Sequence, residues 1–151
     1  MSFFGDIFAG KSQNAAMQYQ AKIDERNAKI KDQEAKQIMS IHNEYTVPKF
    51  DKTIEQIQGK TRVAYAGGGA DMSGTVLDAL YEQQLELETD KDIMQFNAEN
   101  ARDTKENEAI QLRADADLAR WRGKVAKKAS YYAAGQSLLS TATSLKTAGY
   151  I

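Results

Sequence analysis

The chain has 151 residues, one proline, no cysteine and a net charge of −1, which allows one domain and excludes disulfides and thiolate metal sites. Its 42% hydrophobic content includes 22 alanines, while Ile, Leu, Val and Phe together number only 28. Burial energy follows apolar area, so this composition predicts helices that pack on copies or partners rather than a self-sufficient globule.

Residues 1–11 form a short apolar head carrying Phe3, Phe4, Ile7 and Phe8. It lacks the basic leader and long apolar core of a secretory signal. A first helical arm is expected over 12–66, with Ala16, Tyr19, Ile23, Ile30, Ile38, Ile41 and Tyr45 at helical steps along one side. Val47-Pro48 should break or kink it, because proline lacks an N–H and disfavours helical geometry in its predecessor. Phe50, Ile54, Ile57 and Val63 predict that helix resumes over 50–65.

The strongest turn signal is the run 67–74, with Gly67, Gly68, Gly69, Ser73 and Gly74. Consecutive glycines end a helix, and Ser73 or Asp71 is the expected N-cap of the next one. From Thr75 to Lys128 no proline occurs and no glycine before Gly123, which predicts one long acidic helix, about 75 Å at 1.5 Å per residue. Leu80, Leu87, Met94 and Ala101 recur every seven residues as an expected oligomer stripe, roughly extended by Ala98, Leu112, Ala116 and Ala119. The fold class is therefore all-α: a long helical hairpin around a glycine-rich turn, oligomeric in assembly.

Charge is uneven along this helix. Residues 71–120 carry 13 acidic and 5 basic side chains, whereas 121–151 carry 5 basic and no acidic ones. The weakly apolar segment 129–151, rich in Ala, Ser, Thr and Gly, follows the basic cluster. Trp121, Lys124, Lys127, Lys128, Tyr131, Tyr132, Leu138 and Leu139 are the expected contacts with a membrane surface or a protein partner. No run of 18 apolar residues exists.

No catalytic constellation is legible. One histidine, His42, and no cysteine leave no triad or dyad to assemble. The glycine run lacks the Lys-Ser/Thr ending of a phosphate loop and follows a helix, and Gly59-Lys60-Thr61 lacks the upstream glycine. Glu82, Glu86 and Asp90 share a face that reads as solvated. No cofactor and no metal are expected, and the chain reads as non-enzymatic.

The order of a helix, Gly59-Lys60-Thr61-Arg62-Val63-Ala64, a glycine turn, Ser73-Gly74-Thr75-Val76-Leu77-Asp78, a long acidic helix and an Ala/Ser/Gly-rich tail resembles the smallest internal virion (ejection) protein of T7-like short-tailed bacteriophages. The likeness covers roughly 12–145, and its specific part is Gly59 to Asp78. Where the family has a longer Ala/Gly/Ile-rich start, this chain has only Met1 to Gly10. The resemblance implies a structural protein stored in the virion interior near the portal. Such a protein leaves with the DNA and helps form a channel across the host cell envelope. The implied partners are sister copies, the portal, larger internal virion proteins and host membrane, with phage DNA passing through a lumen without sequence-specific binding. The alternative is a coiled-coil scaffold or adaptor, for example portal- or tail-associated, with no membrane role.

Overall fold

The computed structural model describes residues 3–68 and 74–147, apart from the side chains of residues 3, 75, 76 and 145–147. All but the residues of the turn are helical, and the described residues contain no strand. Helix α1 spans Phe3–Ile41, a π-helical turn spans His42–Thr46, α2 spans Val47–Gly67 and α3 spans Thr75–Thr147. Helix therefore begins within the apolar head, and α3 continues past Lys128 to 73 residues.

Pro48 does not interrupt the first arm as a loop would. It sits in the first turn of α2, one residue after the π turn His42–Thr46. Val47 N–H bonds back to His42 O, five residues earlier. The wider turn draws aside the carbonyl that a proline ring would strike in a regular helix. It also inserts one residue into the periodicity. Ala35, Ile38 and His42 are on the inner side before the turn, and Phe50, Ile54, Ile57 and Thr61 are half-buried after it. An uninterrupted α-helix would instead carry Lys49, Lys52 and Gln56 inward.

At the α2–α3 connection, Gly68 has φ −81 and accepts an ordinary end-of-helix geometry, its N–H bonding Ala64 O at 3.1 Å. Gly74 has φ +59, the left-handed region that glycine enters without steric cost. Its carbonyl accepts the Asp78 N–H at 3.2 Å, the first bond of α3, so Gly74 takes the N-cap place expected for Ser73 or Asp71. Asp78, in the first turn, meets the positive end of the helix dipole. Gly69, Asp71 and Ser73 of the expected turn, and Tyr150 in the tail, lie outside the described residues.

The chain packs as two units. One comprises 1–30 with 108–151, and the other 31–107.

In the first unit the buried positions are small. Gly10, Ala21, Ala28, Ala109, Ala116, Ala119, Gly123 and Ala134 are buried, and Ala21, Ala116 and Ala119 form one cluster. Gly10 lies against Ser130 and Gly123 against Asn14 and Met17, while Glu25 pairs with Arg120. Contacts that advance along α1 retreat along α3, so these stretches run antiparallel. Small residues recur every seventh position: Ala21 and Ala28 on α1, in a series that begins at the larger Asn14, and Ala109, Ala116, Gly123 and Ser130 on α3. With no bulk at these positions, the backbones approach closely.

In the second unit, Lys105 pairs with Glu34 at 3.5 Å and Lys91 with Asp51 at 2.6 Å. Gln58 and Arg62 of α2 share a surface groove with Leu77, Leu80, Tyr81 and Gln84 of α3. These contacts again run in opposite directions along the two partners. Among the described residues of this unit, Ala35 and His42 are the buried ones.

Every buried hydrophobic residue described is alanine. An alanine methyl removes about as much apolar surface as one CH₂, about 0.8 kcal/mol, against about 1.5–3 kcal/mol for a buried Leu or Phe. The inner seam thus fixes the register of the helices while leaving most large apolar side chains outside.

Candidate functional site

The apolar residues expected along one side of the first arm are mostly exposed. Tyr19, Ile30, Ile41 and Tyr45 are exposed, Ala16 is exposed, and only Ile23 and Ile38 are half-buried. The reason is geometric. Residues two apart on a helix differ by about 200°, so the alanines at 21 and 28 turn Tyr19 and Ile30 to the opposite side. Phe4 and Phe8 also stand out, at 78% and 73% exposure.

On α3, Leu80, Leu87 and Met94 of the expected oligomer stripe are half-buried, and Leu80 lies in the groove beside α2, while Ala101 is exposed. The half-buried Ala98 and Leu112 and the buried Ala116 and Ala119 lie on the inner side. What the stripe missed is its own continuation, Ala109, Gly123 and Ser130. Its signal was the seven-residue spacing of small residues, not of large ones.

The structure brings together most of the residues singled out after the charge break. Trp121, Lys124, Val125, Lys127, Lys128 and Tyr131 line one open groove of about 380 Å³. Trp121 is 61% exposed. Tyr132, Leu138 and Leu139 are exposed beyond it. Leu118, Val125, Tyr132 and Leu139 recur every seven residues, and each is exposed. Trp121 and Val125 stand two residues either side of the buried Gly123, so this stripe is opposite the inner seam.

The electrostatics divide along the same line. Glu82, Glu86 and Asp90 are exposed, and Leu85, Glu86, Thr89 and Asp90 line a shallow surface groove. Among the described residues no group of three or more His, Cys, Asp or Glu is placed to hold a metal ion. Ion pairs instead tie α3 to α1: Arg120 contacts Glu25 at 2.5 Å and Asp117 at 3.0 Å. Its guanidinium is held above its ordinary range by those hydrogen bonds, Glu25 first. The Glu34 carboxyl is held below the usual carboxylate range, chiefly by the hydrogen bond from Lys31 and then by the charges of Lys31 and Lys105.

His42 is 5% exposed, where the seven-residue series of Ala21, Ala28 and Ala35 meets the π turn. Gly59-Lys60-Thr61 lies inside α2, with Thr61 Oγ1 bonded to Ile57 O at 2.9 Å, so its backbone N–H groups form no phosphate cradle. No described helix is long and apolar enough to cross a membrane.

Comparison with known proteins finds no matching family model, no matching curated protein and no matching solved structure.

Proposed function

We propose that this chain is a structural subunit of a tailed-phage virion, an internal core or ejection protein that leaves the capsid with the DNA and helps form a channel across the host cell envelope. The role is mechanical and non-catalytic. Several hairpin copies pack side by side near the portal, with the larger internal virion proteins, and their charged faces line a lumen or meet solvent. An acidic lumen wall would repel DNA phosphates and let DNA pass without sequence-specific binding.

The observation that carries this reading is the size of the side chains on each face: among the described residues every buried hydrophobic one is alanine, while Tyr19, Phe96, Trp121 and Tyr132 stand exposed. Large outward apolar residues on long helices call for partners. The order of motifs from Gly59 to Asp78 supplies the phage assignment, and the basic groove at Trp121 supplies a surface for host membrane or a sister protein.

A second reading, a coiled-coil scaffold or adaptor with no membrane role, is favoured by the lack of a membrane-crossing helix among the described residues. Tracking the labelled chain separates the two. An ejection protein is found inside DNA-filled particles and moves to the host envelope fraction on infection. Retention in the spent particle supports the scaffold, and absence from purified particles overturns both.

A further inference from the structure

We infer that the outward face of α3 from Leu118 to Leu139 docks a second copy of this chain, and that the copy presents the outward face of its own α3 from Asp78 to Glu99. This deepens the assembly-subunit reading above and rests on it.

The two faces match in character. Each is 22 residues long. The later one carries exposed Leu118, Trp121, Val125, Tyr132 and Leu139. The earlier one carries exposed Tyr81, Leu85, Ile93 and Phe96. These nine aromatic and aliphatic side chains left in water along one helix are more than scattered surface apolarity.

Their charges are opposite. Residues 78–99 hold seven carboxylates and one lysine, and residues 118–139 hold five basic side chains and no carboxylate. Glu82, Asp92, Lys124 and Lys128 are exposed, and none takes part in an ion pair among the described residues. Pairing the later face with itself would set lysines against lysines. Pairing it with the acidic face puts opposite charges around an apolar strip, the arrangement that sets partner and register in helical assemblies.

The complement must come from another molecule. Both faces lie on α3, a single helix with no break between them, and a helix cannot fold back on itself. The contact is therefore heterologous: every copy offers one acidic and one basic face. Such contacts propagate, closing into a ring where the rotation allows and extending as a filament otherwise.

The test uses the full-length chain in sedimentation velocity at micromolar concentration, with circular dichroism as the control for helix content. Lys124→Glu with Lys128→Glu should weaken self-association about tenfold or more, as should Glu82→Lys with Asp92→Lys in a separate chain. An equimolar mixture of the two variants should associate again, because each supplies the face that the other has inverted. If the unaltered chain associates and neither variant weakens it, or the mixture fails to recover, the docking faces are overturned and the assembly reading stands. If the unaltered chain stays monomeric, the assembly reading falls and takes this inference with it. If Lys124→Glu with Lys128→Glu leaves association intact and loses binding to vesicles of anionic phospholipid, the face belongs to a lipid surface and the inference is overturned.

Discussion

Gly123 on α3 lies against Met17 on α1 so closely that a Cβ built at 123 would meet the Met17 Cβ at 3.0 Å and the Asn14 Oδ1 at 2.8 Å. Together with Gly10 against Ser130, this contact marks the close approach of the two helices in the first unit. It explains why a glycine persists inside a helix, where it costs about 1 kcal/mol relative to alanine.

Substitution at this position has a built-in control. Gly135 lies in the same helix with nothing within 4 Å of an added Cβ. Gly135→Ala should stabilise the chain by about 1 kcal/mol through helix propensity. Gly123→Val should destabilise it by about 1–3 kcal/mol, because the helices must part to admit the side chain. Thermal unfolding of both variants checks the contrast. Equal effects would show that 123 is not a close approach.

Asn14 offers the opposite sign. It occupies the seven-residue series that continues as Ala21, Ala28 and Ala35, and its Oδ1 is buried with no hydrogen-bond partner. A buried acceptor left unsatisfied costs about 1–3 kcal/mol. Asn14→Ala removes that cost and extends the alanine series, so the melting temperature should rise. A fall would mean that Asn14 makes a bond that stabilises the seam.

The Glu34 carboxyl gives a pH signature. Its ordinary value is 4.5 and the folded value is lower, because Lys31 and Lys105 favour the charged form. A depressed carboxyl contributes its stability above the unfolded value and loses it as pH falls through the folded one. Site-resolved NMR titration should therefore place Glu34 below the ordinary glutamate value, and Lys31→Met with Lys105→Met should bring it back towards that value. A Glu34 midpoint that both substitutions leave unchanged would assign the shift elsewhere.

Much of this architecture is legible in the sequence, and the rest is hidden for identifiable reasons. Scarce proline and abundant Ala, Glu, Gln and Lys announce helix, and the stretch from Thr75 to Arg122 without Gly or Pro announces its length. The inner face is harder to see. Periodicity searches weigh large side chains, so Tyr19, Ile23 and Ile30 look like a core stripe, although Ala21 and Ala28 are the buried residues. A better signal joins small residues at sevens to flanking opposite charges, as with Glu25 and Arg120 or Glu34 and Lys105. The grouping of Trp121, Lys124, Lys127, Lys128 and Tyr131 is readable because one helix carries them all. The orientation of that groove relative to the seam is not, because it depends on which side α1 occupies.

The one-residue shift at the π turn yields the sharpest prediction. Up to His42 the inner side follows three- and four-residue steps, and after Thr46 it resumes one residue late, on Phe50, Ile54, Ile57 and Thr61. A π turn absorbs an inserted residue. Removing one residue from it, by deleting Asn43, should return the arm to plain α-helix with the same side chains inward. Asn43 is exposed, so little packing is lost directly. Pro48 would then meet a regular preceding turn and clash with the carbonyl four residues before it, at a cost of about 3 kcal/mol. Deletion of Asn43 should therefore destabilise the chain by itself and be rescued by Pro48→Ala. Deletion of the exposed Gln56, in regular α-helix, has no such remedy, because it rotates Ile57 and Thr61 by about 100° away from α3. Melting temperatures should rank the Asn43 deletion with Pro48→Ala near the parent chain and the Gln56 deletion well below it. Equal losses for the two deletions, with no rescue, would mean that the π turn does not set the register of the arm.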